Sequence, residues 1–335
     1  RLGLAGGRRG GGCGHLPGSL RRLTSSGSSL SGASPRILCV GHVALDLMFG
    51  IERFPEQPTK TPAHSFHQGV GGMSANAAVA LARLGADVGF VGPMGEDAAA
   101  QVFRTHFQRE GVDVSRLQVT PGQSSSISSI ILDARGERMI FNHKGSALSA
   151  PSGFVPAWLD NVDFLLTDPR CPLWAAQALR LARQAGITSL LDGDVSPLQD
   201  LQQLVPLADW VAFSEPGLQG FHPGDVHQGL QAALDLGAAL QVAVVTLGPR
   251  GLYWLRRGRS VQHLPAFRVA QVIDTLGAGD AFHAGLGLAL AHGMPDREAL
   301  RFGAATAALK CQRPHGILGA PSRHEVEALL AAQRF

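Results

Sequence analysis

Asp274-Thr-Leu-Gly-Ala-Gly-Asp-Ala-Phe-His-Ala-Gly285 is the stretch of this 335-residue chain that decides the fold. Gly277 and Gly279 precede a helix of small residues that is expected over Ala281–Leu290. Glycines at such a junction let the backbone approach a ligand, and the first N–H groups of a helix have no partner within it. The sequence therefore predicts an anion hole at Gly277, Ala278 and Gly279 that suits a phosphoryl group.

Asp280 lies at the mouth of this predicted anion hole, where a carboxylate would repel a bound phosphate. Its position is explained if it takes the proton from a hydroxyl group that attacks the phosphorus. The alternative is structural, because glycine-rich turns often precede helices and a loop aspartate is often an N-cap. A bare pair of glycines does not separate the two interpretations, whereas the full twelve-residue stretch favours the catalytic role.

The composition predicts an enzyme domain built on a buried sheet. Hydrophobic residues make up 45% of the chain and charged residues 16%, as expected when a sheet is covered on both faces. From Arg36 onward, apolar strands alternate with Ala-rich helices, which is typical of a parallel sheet with helices on both sides. The predicted strands are Ile37–Val43, Val88–Val91, Phe164–Thr167, Ser189–Leu191, Trp210–Phe213, Val242–Thr246, Leu252–Leu255 and Val261–Leu264, the predicted helices are Ser74–Leu84, Ala98–Glu110, Leu173–Gln184 and Val226–Leu236, and a hairpin is expected from Ser124–Leu132 and Arg138–His143.

Charge and cysteine usage exclude several classes of partner. The first 35 residues contain five arginines and no acid, so the formal net charge of +3 leaves −2 on the rest of the chain, with no basic footprint for nucleic acid. No apolar run approaches the roughly 18 residues that a membrane span needs, so no membrane partner is expected. The cysteines have no CxxC or metal-binding spacing, which is typical of reduced thiols and predicts a cytoplasmic protein. They are Cys13, Cys39, Cys171 and Cys311.

Residues 1–35 are rich in Gly, Ser and Arg and have no hydrophobic periodicity, so we expect a disordered tail there. The composition superficially matches an organelle transit peptide. We favour a dispensable leader or a translated upstream extension over targeting. A single domain is expected over residues 36–335.

A second glycine-rich stretch, Gly69-Val-Gly-Gly-Met-Ser-Ala-Asn76, precedes the first predicted helix. Gly71 and Gly72 would let backbone amides reach substrate hydroxyls, and Asn76 would add a side-chain amide. Taken alone, this stretch is equally consistent with a plain capped loop. In this order and about 200 residues apart, the two stretches resemble the N-terminal and C-terminal signatures of the ribokinase (PfkB) family of carbohydrate kinases.

The resemblance implies an α/β fold, a ribokinase-like three-layer sandwich with a mainly parallel central sheet and a small β-lid. The lid segments would be about residues 46–68 and 124–145, and a homodimer would join through the lids. ATP and Mg²⁺ are implied as the phosphoryl donor and its metal ion. Asp46 follows the first strand, where family members accept hydrogen bonds from sugar hydroxyls; a structural turn aspartate is the alternative.

Thr246-Leu-Gly-Pro-Arg-Gly251 resembles the turn of the family that contacts the nucleotide. Thr246, Gly248 and Gly251 are therefore expected to approach the ribose and phosphates. The family usually carries Asn-x-x-Glu after the preceding strand, where it helps to hold Mg²⁺ through water. This chain has Ser214-Glu-Pro-Gly217 in that place, so Glu215 is the expected substitute.

Three residues indicate the chemical identity of the substrate: Lys60, Asn142 and Arg170. Individually each is as expected of a solvated surface residue, but together they could bind an anionic group at the sugar end remote from Asp280. Over almost all of residues 36–330 the chain is similar to the sulfofructose kinase branch of the family. In that branch, residues at these three positions bind the sulfonate of 6-deoxy-6-sulfofructose.

The resemblance therefore implies phosphorylation of O1 of a ketose, with 6-deoxy-6-sulfofructose as the expected sugar. A kinase for fructose or fructose 6-phosphate is the alternative within the family. A non-catalytic nucleotide or sugar sensor that retains the kinase fold is an alternative of another class. The presence of Asp280 argues against the sensor.

Overall fold

The computed structural model describes residues 34–135, 137–149 and 153–333. Residues 1–33 of the tail predicted to be disordered therefore lie outside the described residues. Gly136, in the turn of the predicted hairpin, lies outside them as well. In the described ranges no helix is long and apolar enough to cross a membrane.

The strands of the described chain are β1 (Arg36–Val40), β2 (Ala44–Ile51), β3 (Ser65–Gly71), β4 (Asp87–Val91), β5 (Pro93–Gly95), β6 (Gln118–Thr120), β7 (Ser126–Asp133), β8 (Arg138–His143), β9 (Phe164–Thr167), β10 (Thr188–Gly193), β11 (Trp210–Ser214), β12 (Val242–Thr246), β13 (Leu252–Arg256) and β14 (Gln262–Leu264). The α-helices are α1 (Met73–Arg83), α2 (Ala98–Arg109), α3 (Pro172–Gln184), α4 (Leu198–Leu204), α5 (Glu215–Phe221), α6 (Val226–Asp235), α7 (Ala278–Ala291), α8 (Asp296–Cys311) and α9 (Arg323–Ala332).

The main sheet has eight strands in the described part of the chain, in the order β14-β13-β12-β11-β10-β9-β1-β4. The six strands from β12 to β4 in this order run parallel, and β13 and β14 pair antiparallel at one edge. The parallel strands are apolar almost throughout because both of their faces are covered. The predicted, mainly parallel central sheet is confirmed.

Helices cover both faces of this sheet. On one face, Leu38 and Val40 of β1 belong to a hydrophobic core that also contains residues of α3, α4, α5 and α6. The alternate residues Ile37 and Cys39 are equally buried and point to the opposite face, because side chains alternate along a strand. That face packs against α1 and α7, and α8 lies beside α7. The first turns of α1 and α7 are thereby brought side by side.

A second sheet has the strand order β3-β2-β7-β8. Its inner strands, β2 and β7, run parallel, and each pairs antiparallel with an outer strand. The hairpin predicted from the sequence forms β7 and β8. The polar, Pro-containing segment predicted as part of the lid contains most of β2, a long loop and the start of β3.

Four predicted helices, α1, α2, α3 and α6, begin and end within one residue of their predicted bounds. The predicted strand Ile37–Val43 is too long, since β1 ends at Val40 and the chain turns at Gly41. A side chain at Gly41 would collide with the carboxylate of Asp168, so the turn packs directly on that buried group.

Candidate active site

A cavity of about 550 Å³ lies where the carboxyl ends of β1, β9, β10, β11 and β12 meet the second sheet and the first turns of α1 and α7. Open α/β sheets bind their ligands at this edge. Residues predicted for a site that line the cavity are Asp46, Gly72, Asn76, Asn142, Arg170, Thr246, Gly277, Ala278, Gly279 and Asp280. Predicted residues that do not line it are Lys60, Gly71, Glu215, Gly248 and Gly251.

The start of α7 forms one wall of the cavity. Gly277 is the N-cap and has a φ of 77°, a left-handed conformation that glycine adopts without strain. The first hydrogen bond of the helix runs from the Ala281 amide to the Gly277 carbonyl, at 2.9 Å. The amides of Gly279 and Asp280 precede that bond and have no partner within the helix. They are therefore free to bind an anion.

Asp274 and Lys310 hold the loop that leads into α7. The ammonium group of Lys310 is fully buried, donates to the Asp274 carbonyl at 2.8 Å and lies 3.3 Å from its carboxylate. The same carboxylate accepts the amides of Leu276 and Gly316, each at 2.8 Å. Burial opposes ionisation, but these hydrogen bonds and Lys310 hold the pKa of Asp274 below its ordinary value. A charged network thus fixes the loop.

Asp280 lies in the first turn of α7 and accepts a hydrogen bond from the side-chain amide of Asn76, at 2.7 Å. Burial, above all, and the nearby Asp192 raise the pKa of the Asp280 carboxyl to about 7. The hydrogen bond from Asn76 and the nearby His283 act in the opposite direction. A pKa near the working pH suits a general base.

Asp46, Ser128 and Asn142 form a polar row on the cavity side of the second sheet. The register pairs Asp46 with Ser128 and Ser128 with Asn142 across β2, β7 and β8. The amide of Asn142 donates to the Ser128 hydroxyl at 3.0 Å. Burial raises the pKa of Asp46 to about 6, against the effect of a hydrogen bond with Ser128. Gly71 lies beside the row, and a Cβ there would collide with the Asp46 carboxylate.

Lys144 and Arg170, with the ring of His42 beside them, form a cationic corner of the cavity. The ring of His42 is buried and its Nε2 lies 2.8 Å from the Ser126 hydroxyl. Burial chiefly lowers the pKa of His42; Asp168 opposes this, and the charges of Arg170 and Lys144 lower the pKa further. In the described part of the chain neither Arg170 nor Lys144 takes part in an ion pair. The corner therefore offers positive charge to an anionic ligand.

Asp192 and Asp194, at the end of β10, add two carboxylates to the cavity. Burial and the neighbouring Asp194 raise the pKa of Asp192 well above its ordinary value. Asp194 accepts a hydrogen bond from the Ser214 hydroxyl at 2.6 Å. Both aspartates belong to the stretch Leu191-Asp-Gly-Asp-Val-Ser-Pro197, which shares in the resemblance to the sulfofructose kinase branch, but the sequence assigns neither aspartate a role in the site. The available signal is their position directly after a buried strand, at the edge where open α/β sheets bind ligands.

The donor set fits a magnesium ion that arrives with a nucleotide. No group of three or more His, Cys, Asp or Glu side chains in the described ranges could hold a metal ion. Mg²⁺ normally binds through one or two carboxylates together with substrate phosphates, and Asp194 lines the cavity as such a carboxylate. Glu215 lies outside the lining, and both of its carboxylate oxygens are 2.5 Å from Arg250 Nη2. Asp194 therefore replaces Glu215 as the candidate.

The turn expected to contact a nucleotide is only partly in the cavity. Thr246 ends β12 and lines the cavity, whereas Gly248 begins a short 3₁₀ turn outside the lining. Gly251 packs against the Leu264 carbonyl of β14, and a Cβ at this position would collide with that oxygen. The glycine is therefore needed for packing against the sheet. Lys60 is exposed in the loop between β2 and β3 and does not reach the cavity.

Residues 34–323 match the family model described as pfkB family carbohydrate kinase. The chain belongs to this family. It is accordingly an ATP-dependent carbohydrate kinase, and its ribokinase-like fold, predicted from the sequence, is confirmed.

The known relatives of the chain are kinases named for different sugars. A Klebsiella pneumoniae fructokinase is 36% identical over 246 residues, which cover 68% of this chain and 78% of that protein. A Haemophilus influenzae ribokinase is 28% identical over 297 residues, which cover 85% of this chain and 95% of that protein. The solved structure of Arabidopsis thaliana ribokinase with ribose and ATP is 25% identical with a TM-score of 0.78, covering 89% of this chain and 99% of that chain.

We predict that kinase activity falls as the pH is lowered through about 7, because protonated Asp280 has no lone pair to accept a proton. Well below that pH, kcat/KM should drop about tenfold per unit. Direct detection of the phosphorylated sugar, at several fixed concentrations of magnesium and ATP, separates this effect from the titration of ATP. A flat profile down to about pH 5 would contradict the assignment.

Proposed function

We propose that this kinase phosphorylates O1 of a ketose and that its preferred ketose is 6-deoxy-6-sulfofructose, giving 6-deoxy-6-sulfofructose 1-phosphate. The observation that carries the proposal is one cavity that holds both a candidate base, Asp280, and the unpaired cations Arg170 and Lys144. The resemblance of the chain to the sulfofructose kinase branch supports the sulfonate in particular.

In the proposed mechanism the Asp280 carboxylate takes the proton of the sugar hydroxyl as its oxygen attacks the γ-phosphorus of ATP. Asn76 donates to Oδ2 of Asp280, which leaves Oδ1 for the substrate. The backbone amides of Gly277, Gly279 and Asp280 would receive the oxygens of the transferring phosphoryl group, whereas the Ala278 amide, predicted with them, donates to the Thr275 carbonyl at 3.2 Å. When bound with ATP, Mg²⁺ neutralises phosphate charge, and Asp194 is the residue that would hold it.

The polar row of the second sheet gives the sugar its orientation in this proposal. Asp46 accepts hydrogen bonds from sugar hydroxyls, while the Ser128 hydroxyl and the Asn142 amide can donate. Because the three side chains are already aligned by strand register, little side-chain entropy is lost when the sugar binds.

The cationic corner would take the sulfonate. A sulfonate is a permanent monoanion with three oxygens, and the guanidinium of Arg170 can give it two parallel hydrogen bonds. Lys144 would add charge, and Asn142 would add a neutral donor. Lys60 was the third residue expected from the resemblance, but its exposed loop does not support that role. Neutral fructose is the second candidate substrate, which the 36% identity to a fructokinase favours.

We further propose a homodimer joined through the outer face of the second sheet. Strand alternation places Met139 and Phe141 on the side opposite the cavity-lining Asn142. Phe66 lies on the same outer face, 5.1 Å from Phe49 between ring centroids. The exposed fractions of Phe66, Met139 and Phe141 are 58%, 47% and 61%. Clustered exposed apolar side chains of this kind mark interaction surfaces.

Replacing Phe141 by Glu should convert the proposed dimer to a monomer, because it puts a charge into an apolar contact. The measurement is the molar mass in solution by light scattering. Leu173→Glu is the matched control, since Leu173 is 64% exposed on α3, and that variant should stay dimeric. A wild-type protein that is monomeric at micromolar concentration would contradict the proposal.

A reducing compartment, the cytoplasm, is the proposed location. Cys39 and Cys171 are free and fully buried, and burial raises the pKa of both thiols. Such cysteines are packed as small apolar side chains and need no oxidising environment.

Asp280→Asn tests the proposed base. The amide keeps the shape of the side chain but cannot accept the proton, so kcat should fall by a factor on the order of 10²–10⁴ while ATP binding changes little. Asp160→Asn, an exposed aspartate outside the cavity, is the control and should retain full activity. An Asp280→Asn enzyme with near-wild-type kcat would refute the assignment.

Arg170 tests the identity of the substrate. Arg170→Ala should lower kcat/KM for 6-deoxy-6-sulfofructose by roughly tenfold to a hundredfold, because a hydrogen bond to a charged group is typically worth about 1.5–3 kcal/mol. For Arg170→Lys, kcat/KM should lie between the values of the wild type and of Arg170→Ala. Lysine keeps the positive charge but cannot give the sulfonate two parallel hydrogen bonds. The activity on fructose should change little.

The matched control is Arg259→Ala, which removes an exposed arginine far from the cavity lining. Fructose and fructose 6-phosphate complete the substrate panel. If wild-type enzyme prefers fructose, the sulfosugar proposal fails and the general ketose kinase remains. Equal loss of activity on all sugars in Arg170→Ala would mean that Arg170 supports the fold or the nucleotide.

A further inference from the structure

The ring of His42 is held by the second sheet at one of its two nitrogens. Its Nε2 lies 2.8 Å from the hydroxyl oxygen of Ser126 in β7. That hydroxyl has one proton, which it donates to the His143 carbonyl oxygen in β8, at 3.1 Å. Because its proton is used in this way, the Ser126 oxygen accepts from the ring. Nε2 of His42 is therefore the nitrogen that carries the proton.

Nδ1 is the bare nitrogen of this tautomer. Burial, above all, lowers the pKa of His42, and the charges of Arg170 and Lys144 lower the pKa further, while Asp168 acts in the opposite direction. These three are the charged groups that act on the ring. The ring therefore stays neutral near pH 7, and Nδ1 can accept a hydrogen bond but cannot donate one.

The bare nitrogen is open to the cavity. In the described part of the chain Nδ1 has no hydrogen-bond partner, and it is not among the unpartnered nitrogens that protein atoms enclose completely. The His42 side chain lines the cavity and is 8% exposed. An acceptor in this position takes its hydrogen bond from water or from a donor on the ligand.

Strand geometry places the His42 ring beside the polar row of Asp46, Ser128 and Asn142. Ser126, which anchors the ring, precedes Ser128 by two residues in β7, so both hydroxyls lie on the same face of the strand. They are about 7 Å apart along the strand, since each residue adds about 3.3 Å. A sugar that rests on the row therefore reaches His42 with its next substituent.

We infer that His42 is a specificity-determining residue whose Nδ1 accepts a hydrogen bond from the sugar hydroxyl nearest to the group bound by Arg170 and Lys144. The inference rests on the proposed ketose kinase function and adds a contact to that site. The two cations attract an anionic substituent, whereas a bare nitrogen repels an oxyanion and attracts an O–H group. A sugar without this hydroxyl would displace water from Nδ1 and leave the nitrogen unsatisfied.

The chemistry of the proposed substrate identifies the hydroxyl. In the furanose ring of a ketohexose, O5 closes the ring, so the free hydroxyl nearest to C6 is the one on C4. C6 carries the sulfonate in 6-deoxy-6-sulfofructose. A sulfonate held by Arg170 and Lys144 would bring the C4 hydroxyl towards His42, and the C3 hydroxyl lies one carbon further away.

The tautomer of His42 can be measured in the wild-type enzyme. Nitrogen NMR of protein labelled at histidine, with the His42 ring assigned through bonds from its backbone, should show a protonated Nε2 and a bare Nδ1 at about pH 8. Saturation with 6-deoxy-6-sulfofructose or, in a second titration, with fructose should move the Nδ1 resonance upfield, as expected of a nitrogen that accepts a hydrogen bond. A protonated Nδ1, or an Nδ1 resonance that stays in place with both sugars, would overturn the inference.

Two substitutions separate the roles of the two nitrogens. The amide of His42→Gln can replace Nε2 and keep the bond to Ser126, but it leaves nothing at Nδ1. The amide oxygen of His42→Asn can replace Nδ1 but does not reach Ser126. We expect kcat/KM for the sugar to fall about three- to tenfold in His42→Gln and to stay close to the wild-type value in His42→Asn, which should instead melt at a lower temperature. The opposite order, or an equal loss in both variants, would indicate a structural role and overturn the inference.

Deoxy sugars test the contact itself. With wild-type enzyme, loss of the C4 hydroxyl should lower kcat/KM about as much as His42→Gln does. In His42→Gln the same loss should cost little, because the contact is already absent. The C3 deoxy sugar is the matched control, and its effect should be equal in both enzymes. Independent, multiplicative losses from the C4 deoxy sugar and His42→Gln would contradict the contact.

His324→Gln is the control variant, because His324 is exposed on α9 and outside the cavity lining, and its kinetics should equal those of the wild type. KM for ATP should change little in all variants. If the enzyme uses fructose and not the sulfosugar, the sulfonate proposal fails, and the same comparison is made with fructose and 4-deoxyfructose. The tautomer measured without sugar stands apart from the proposed function altogether.

Discussion

One buried carboxylate, that of Asp168, holds together the edge of the sheet on which the site depends. One of its oxygens accepts the amides of His42, at 3.0 Å, and Ser74, at 3.1 Å, and the other accepts the amide of Arg170, at 2.9 Å. These amides lie after β1, in the first turn of α1 and after β9. Hydrogen bonds to a charged group contribute about 1.5–3 kcal/mol each, so three loops that carry ligand-facing side chains are fixed to one another. Gly41 is part of the same constraint, because a side chain there would collide with Asp168.

On this frame the cavity separates its charges. Asp192, Asp194 and Asp280 gather near the start of α7, whereas the cations Lys144 and Arg170 lie beside His42. Burial, above all, and the nearby Asp192 raise the pKa of Asp280 to about 7. Buried charges of one sign are costly, and hydrogen-bond donors such as the Asn76 amide, which donates to Asp280, compensate part of that cost. The same separation suits a substrate with a neutral hydroxyl at one end and an anion at the other.

Local sequence patterns predict much of this arrangement. The starts of α7 and α1 can be recognised from the sequence because a glycine pair before a helix is a local signal. The central strands can be recognised from their apolar runs. Contacts between distant segments are not visible in this way. Nothing near Lys310 in the sequence indicates that its buried ammonium group holds Asp274, and nothing near His42 indicates its contact with Ser126. Lys60 and Glu215 were expected by analogy of position, but an exposed loop and the ion pair with Arg250 keep them out of the cavity.

In the proposed reaction, the cavity transfers a phosphoryl group to the C1 hydroxyl of a ketose. The most direct test is phosphorus NMR of the wild-type enzyme with ATP, magnesium and 6-deoxy-6-sulfofructose. A phosphate ester on O1 couples to the two protons of C1, so a new resonance split into a triplet should grow as the γ-phosphate signal of ATP declines. A doublet would mean transfer to a ring hydroxyl on a carbon with one proton. Release of inorganic phosphate alone, with no ester, would contradict the account altogether.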